Sequence, residues 1–362
     1  MYFKKSIKRT SSALKRANSL GVLELLYKIG VGTRTKLARE LNASLPTISR
    51  VIEPYLGDLV FIKGKDNSTG GRKPERVFFN YSARKIGGVQ VDKDFFILSV
   101  SNLNKIPIVS EKVQFDCTNP HSLSQAIHKK LSSYVKKGKL DKKSLEVLTI
   151  AVAGTVSAKE EPVAVDPPLS WRRISNENFF SDEFHKDFPN CSVLFENDAN
   201  ALAVGEYADK GYDEENLVCI YLSSGIGMGI IINGRLYRGS QGRAGEIGKL
   251  VPFFGDKIDT FEDYFGRCKR LKKADAMIRL LNNLSLLFNP SEIVLSGSID
   301  GIYREIEKLE KSLSQSQGTN IKYRMSKHGE FAIINGALTI SAKEFLREKV
   351  YGYSKPNYLL EL

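Results

Sequence analysis

Residues 196–206 read ENDANALAVGE, an acid-amide-acid cluster running straight into a helix-forming stretch. Asn197 and Asp198 stand at the junction, where a side chain is readily aimed at something polar. Asp198 is therefore a catalytic base, a ligand-holding carboxylate, or a cap on a helix starting near Ala199. The surroundings decide. Upstream, residues 147–153 form a short apolar run, as expected of a buried strand. Residues 86–100 and 106–115 read as consecutive strands with a turn at SNLNK, followed by a helix over 122–136. Downstream, 217–232 is a strand pair around SSGIGMG, 269–288 a helix, 292–296 a short strand and 302–313 a helix. Such alternation means α/β.

At 362 residues the chain is long enough for two or three domains. Its 42% hydrophobic and 26% charged content fits a soluble globular protein rather than a disordered one. The start, MYFKKSIKRT, has no apolar run after its basic residues and is not expected to be a signal peptide. The longest uncharged stretch, 216–234, is broken by SSGIGMG and NG, so strand-turn-strand is expected there and not a membrane span. Cys117, Cys191, Cys219 and Cys268 show no CxxC spacing. That suits a reducing cytoplasm and argues against both a disulfide framework and a thiolate zinc site.

Charge is unevenly placed. Residues 1–85 hold 18 of the 54 Lys and Arg but 6 of the 41 Asp and Glu, a local excess of 12 positive charges, while the rest of the chain is within one charge of neutral. A basic module on a neutral body is the footprint of a polyanion partner, most often nucleic acid. The pattern inside the module agrees. NSLGVLELLYKI (18–29) places Leu20, Leu23, Leu26 and Tyr27 on one helical face, and Gly30 and Gly32 end it. Thr33 caps a second helix, TRTKLAREL, and Ser44 caps a third, SLPTISRVIEPYL, with Pro46 in its first turn and Pro54 weakening its end. Two short helices joined by a tight turn are helix-turn-helix geometry, with Ser44, Pro46, Thr47, Ser49 and Arg50 offered to a major groove. A strand over 59–63, the loop GKDNSTGGRKPE and a returning strand over 76–80 make a wing. Its tip, GGRKP, is similar to AT-hooks, in which Arg enters a narrow A·T minor groove. Arg34, Arg72 and Lys73 complete the candidate DNA contacts.

The motifs AVAGTV (151–156), ENDANALAVGE, LSSGIGMGIIINGRLYRG (222–239), GRAGEIG (242–248) and EIVLSGS (292–298), in this order, resemble the ROK family of repressors and sugar kinases. The resemblance covers nearly the whole chain. It implies an actin-like (ribonuclease H-like) two-lobed α/β body, here preceded by a winged helix-turn-helix as in the repressor branch, whose wing also ends in GGR-basic-P. The implied domains are 1–82, the DNA-binding head; 83–198, a first lobe completed by a helix over 332–350; and 199–331, a second lobe with the sugar-binding and dimer contacts. In the family's kinases the aspartate matching Asp198 is the general base for a sugar hydroxyl. Residues matching Asn197 and Glu246 hydrogen-bond the sugar, and a further glutamate best matches Glu262. Carboxylates and amides suit a vicinal diol, which offers paired donors.

Three departures shape the expectation. The family's phosphate loop opens with an Asp and glycines, whereas this strand reads GGVQVDKDFF, with Gln90 at the Asp position and Asp92 and Lys93 in place of glycines. Phosphotransfer rests on positioning and charge stabilisation, so this loss is expected to be severe. Ser223-Ser224-Gly225 keeps part of a second phosphate turn but reads equally as a hairpin. Lys249 replaces the family's zinc-binding His, and FFGDKIDTFEDYFG replaces its cysteine cluster, so zinc is expected to be absent. Packing of Phe253, Phe254, Phe261 and Tyr264 would then order the loop. Pro168 stands near the position of a family sugar-contacting Asn. Lys249 reads as a ligand-binding cation or a surface lysine, and the four histidines as surface residues. The expected protein is a cytoplasmic, sugar-responsive regulator, a repressor working as a homodimer or dimer of dimers on operator DNA. It would have no catalytic residue, no cofactor and no membrane contact. The alternative is an ATP-dependent ROK sugar kinase of the glucokinase or N-acetylhexosamine-kinase type, with Mg-ATP and with Asp198 as its base.

Overall fold

The computed structural model describes residues 11–65, 73–154, 156, 169, 171, 174–176, 178–211, 216–223, 225–240, 242–251, 259–317 and 322–351. They fall into two units. Of the described residues, one unit gathers 11–85, 102–106 and 342–351; the other holds 86–101 and 107–341.

In the first unit, α1 (Ser11–Ile29) ends at Gly30, whose φ of +72° only glycine adopts without strain. The chain reverses there into β1 (Val31–Thr33), then α2 (Arg34–Glu40), α3 (Leu45–Ile52), β2 (Val60–Lys65) and β3 (Glu75–Phe79). Thr33 caps α2 by accepting the Lys36 N–H at 3.1 Å, and Ser44 caps α3 by accepting that of Thr47 at 3.3 Å. Asn42, in the left-handed region at φ +47°, makes the turn between α2 and α3. After Ile52 the helix tightens into a single 3₁₀ turn, Glu53–Tyr55, because Pro54 has no N–H to continue the ladder. Leu23, Leu26, Leu37, Ile48, Ile52 and Val77 are fully buried together with Leu59 and Val60. The three helices and the sheet, in order β1-β3-β2, form a winged helix-turn-helix. Strand β1 was not legible in the sequence: three residues with a central glycine carry no alternation, and pairing with Arg76–Phe78 alone makes them a strand. Likewise α1 begins at Ser11, well before the apolar repeat that marks it.

The second unit contains two five-stranded sheets. The first comprises β4 (Lys85–Val91), β5 (Phe95–Asn102), β6 (Pro107–Gln114), β7 (Leu145–Val152) and β8 (Ser192–Asn197), in the order β6-β5-β4-β7-β8. Helices α4 (Pro120–Lys136) and α5 (Asp182–Asp187) lie between these strands in sequence, and their buried Leu123, Ile127, Leu131 and Phe184 join one core with Trp171. The expected strand over 86–100 is in fact two. Asp92 accepts the Lys93 N–H at 2.6 Å and its own N–H reaches the Phe95 carbonyl at 2.9 Å, so the chain turns within DKD.

The second sheet follows α6 (Asp198–Asp209) and comprises β9 (Leu217–Leu222), β10 (Ile226–Ile232), β11 (Arg235–Leu236), β12 (Glu292–Gly297) and β13 (Tyr323–Met325), in the order β11-β10-β9-β12-β13. Helices α7 (Phe261–Arg267), α8 (Arg270–Phe288), α9 (Asp300–Gln317) and α10 (Ala332–Tyr351) complete it. Numbered within itself, each sheet has strand order 3-2-1-4-5, with the first three strands as a meander. The repeat of one topology on either side of α6 is the architecture of the unit. Among the described residues no helix is long and apolar enough to cross a membrane.

Glycines set how closely α6 packs. A Cβ on Gly229 would fall on the Ala199 carbonyl oxygen, and one on Gly336 of α10 would fall on that of Ala201. Both sides of α6 are thus approached at backbone distance, which is why its residues Asp198–Tyr207 are all buried.

Candidate functional site

Strand β8 ends and α6 begins within the quoted motif, and the cap is Asn197, not Asp198. Asn197 Oδ1 accepts the Asn200 N–H at 3.0 Å while its Nδ2 donates to the Gly154 carbonyl at 2.9 Å. Asp198, 8% exposed, is the first helical residue, and the Ala199 N–H donates to its Oδ1 at 2.7 Å. Among the described residues no cation pairs with it. Burial pushes its carboxyl up to about 7 against the pull of the Ala199 N–H, and the nearby charges of Glu246 and Asp92 push the same way. Such a group is under pressure to gain hydrogen-bond donors.

Glu196, 3% exposed, does a different job. Arg238 grips it bidentately at 2.8 and 2.6 Å, and it also accepts the Asn200 amide at 3.1 Å and the Asn197 N–H at 2.9 Å. This buried ion pair holds the β8–α6 elbow in shape. Arg238, in the LYRG end of a quoted motif, was missed in the sequence; only its arrival beside Glu196 in the fold identifies it.

Glu246 follows Gly245, whose carbonyl accepts the Met228 N–H at 2.9 Å. Its Oε2 lies 2.9 Å from Lys249 Nζ, so Lys249 is engaged with the candidate ligand carboxylate. Glu262, in the first turn of α7, aims its Oε2 at the Ile226 N–H at 3.3 Å. It stands against Gly225 and Gly248, where added Cβ atoms would lie 3.3 and 2.6 Å from that oxygen. It thereby braces the β9–β10 turn, where the Ser223 N–H reaches the Gly225 carbonyl at 2.9 Å. That segment is a hairpin. Phe261 packs against Phe265, centroids 5.8 Å apart, whereas Tyr264 is 39% exposed: Phe265 takes the packing role expected of Tyr264. Phe253, Phe254 and Pro168 lie outside the described residues. Among the described residues no group of three or more His, Cys, Asp and Glu side chains is arranged to hold a metal ion. Of the histidines, His128 is not a plain surface residue: it packs on Phe184 and Phe188 and lies 2.9 Å from Asp187.

Gln90 sits in β4, 5% exposed, and donates its Nε2 to the Tyr221 hydroxyl at 3.1 Å. Gln90 and Asp92 line a cavity of about 500 Å³ with Tyr221, Ser223 and Gly297.

On the head, Ser44, Pro46, Ser49 and Arg50 are exposed on α3 and Thr47 is half-buried, its hydroxyl 2.9 Å from that of Ser44. Arg34 is not free: its Nη1 meets Glu75 Oε2 at 2.8 Å, tying α2 to the wing strand β3. Lys73 is exposed, while Arg72 lies outside the described residues.

A family model described as the ROK family matches residues 87–271, just over half of the chain. The chain belongs to the ROK family. A xylose repressor from Bacillus spizizenii is 28% identical over 247 residues, which span 67% of this chain and 63% of that protein; the match thus covers less than two thirds of that relative's length. Among solved structures, a ROK family transcriptional regulator, a homologue of the E. coli MLC protein, superposes with a TM-score of 0.69 at 18% identity, over 93% of this chain and 98% of its own. A ROK family glucokinase from Streptomyces griseus, in complex with glucose and AMPPNP, gives a TM-score of 0.53 at 20% identity, over 71% and 99%. At such identities these ROK structures speak to the fold, which is the actin-like one with an N-terminal winged helix-turn-helix.

Proposed function

We propose that this ROK protein is a sugar-responsive DNA-binding repressor that works as a homodimer, with its effector held by Asp198 and Glu246 and positioned by Asn197 and Glu262. The observation that carries the reading is Asp198 itself: a buried carboxylate that meets no cation among the described residues, at an elbow fixed by Glu196 and Arg238, beside a second carboxylate. Sugar hydroxyls are neutral donors in pairs and meet that demand without bringing a charge. The basic head, with exposed Ser44, Pro46, Ser49, Arg50 and Lys73, and with Thr47, Arg34 and Arg72, is the DNA-binding element. Two heads in a dimer would meet two half-sites. The similarity to xylose repressors puts D-xylose first among candidate effectors.

The kinase reading has less support. Where phosphates need a metal anchor and backbone donors, this chain offers Gln90, paired to Tyr221, and the Asp92 carboxylate. We therefore expect neither Mg-ATP nor zinc as a cofactor.

A thermal-shift screen of sugars, sugar phosphates and Mg-ATP tests the reading. At least one sugar should raise the melting temperature of the wild type, and Asp198→Ala and Glu246→Ala should each weaken binding of that sugar about 10- to 150-fold. Sugar-dependent ADP formation that disappears in Asp198→Asn would replace the sensor with a kinase.

A further inference from the structure

Helix α8 carries leucines where the outer face of a surface helix ordinarily carries polar side chains. Leu271 near its start and Leu286 and Leu287 near its end are 70%, 73% and 75% exposed, the three most exposed large hydrophobic side chains among the described residues. The core does not need them. Ala274, Met277, Ile278, Leu281 and Leu284 already supply the side of α8 that joins the core of the second sheet. Single exposed leucines are ordinary, but three at the two ends of one helix face call for a reason.

Their spacing supplies it. At 3.6 residues per turn, Leu271, Asp275, Arg279, Asn282 and Leu286 fall within an arc of about 80° and form one outer stripe. The stripe is apolar at both ends and polar between, where Asp275 and Arg279 pair at 2.9 Å. Reversed end to end about the Ile278–Arg279 step, it matches itself. Leucine then stands opposite leucine, and the Asp275 carboxylate opposite the Asn282 amide, which can donate to it.

The charge of α8 points the same way. Its first turn holds no acidic residue and its last turn no basic one, the reverse of what its dipole favours. Lys269 and Lys272 are exposed at the positive end, while Arg270 pairs with Glu305 at 2.9 Å and Lys273 lies 5.2 Å from the Phe265 ring centroid. An antiparallel copy of the same helix would bring its carbonyl-rich C-terminus beside those lysines, and its own lysines beside this C-terminus.

We infer that the outer face of α8 is the interface of a two-fold homodimer, with two α8 helices packed antiparallel and the dyad at the Ile278–Arg279 step. Such an interface is isologous: each Leu271 packs on the partner's Leu286, twice per dimer. The inference rests on the homodimer of the proposed function and gives that dimer its contact surface.

Sedimentation equilibrium of the full-length protein tests it. Leu271→Glu and Leu286→Lys should each raise the dimer dissociation constant at least about 30-fold. Combined in one chain, their losses should fall short of multiplying by at least about fivefold, because each new charge then meets the opposite charge in the partner. Within one chain the two positions lie about 22 Å apart along the helix, too far to couple. Both side chains are exposed, so the monomer fold should survive, as circular dichroism would verify. A second measurement stands apart from these variants. In a Cys268→Ser background, which leaves the three buried cysteines, Arg279→Cys beside the dyad should be joined to its own copy by a short bis-maleimide, and Lys129→Cys on α4 should not. A wild-type dimer that persists unchanged in a folded variant at either leucine, losses that multiply in full, or no preference for linkage at 279 over 129 overturns the α8 interface and leaves the homodimer standing. A wild type that is monomeric throughout defeats the homodimer reading, and this inference with it.

Discussion

Burial pushes the Asp198 carboxyl up to about 7, and this has two consequences of opposite use. The folded state holds the proton more tightly than the unfolded chain, whose ordinary value is 3.8. Stability therefore falls as pH rises from about 4 to about 7 and levels off above. Asp198→Asn should remove that slope and stabilise the ligand-free protein near pH 8 by about 2–4 kcal/mol, read from urea unfolding at pH 5 and pH 8. A sugar hydroxyl, by contrast, donates best to the ionised carboxylate. Effector affinity should accordingly rise about tenfold between pH 6 and pH 8, and flat affinity over that range would remove Asp198 from the site. At this scale the sequence was informative about chemistry and less so about division of labour. ENDAN marked a polar elbow, but nothing local says that Asn197 caps the helix, that Glu196 belongs to Arg238, or that Asp198 meets no cation among the described residues. Those assignments depend on Arg238 and Gly154, 42 and 43 residues away from their partners.

Helix α6 is held in place by absent side chains. Gly229 of β10 and Gly336 of α10 admit it at backbone distance, so α6 is held directly against that strand and that helix. Gly336→Ala should lower stability by about 3 kcal/mol and weaken effector binding, because its Cβ would fall on a backbone carbonyl that has nowhere to move. Gly301→Ala, on α9 with nothing within 4 Å of the new Cβ, is the control and should be neutral or stabilise by up to about 1 kcal/mol. Urea unfolding of both variants makes the comparison. The elements themselves were mostly legible, since each carries its own apolar period and punctuation: Thr33 and Ser44 as caps, Pro54 as the stop of α3. What escaped was structure made by partners. Strand β1 exists because β3 pairs with it, and the turn within Asp92–Asp94 exists because its carboxylate and backbone close on themselves.

At the scale of the whole molecule, a strongly basic winged helix-turn-helix accompanies an actin-like body whose duplicated 3-2-1-4-5 sheets flank α6. The fold class was readable because several motifs recur in a fixed order along the chain; the function of the body was not, since kinases and regulators share that order and differ at single positions such as Gln90. The proposal is that an effector alters the affinity of the heads for DNA, and an effector shifts that equilibrium only by its differential affinity for two states. Coupling of this kind is typically 5- to 150-fold, and a specific operator is typically bound at least about 10³-fold tighter than unrelated duplex at a fixed salt concentration. The most direct test is fluorescence anisotropy on a labelled duplex from upstream of the chain's own gene, titrated at fixed salt with wild type and Asp198→Asn, each with and without the sugar that shifts the wild type's melting temperature. The account predicts tight binding by both proteins without sugar and a change of at least fivefold on adding sugar to the wild type alone. An unchanged DNA affinity in the presence of a sugar that demonstrably binds, or no preference for the operator over unrelated duplex, would contradict it.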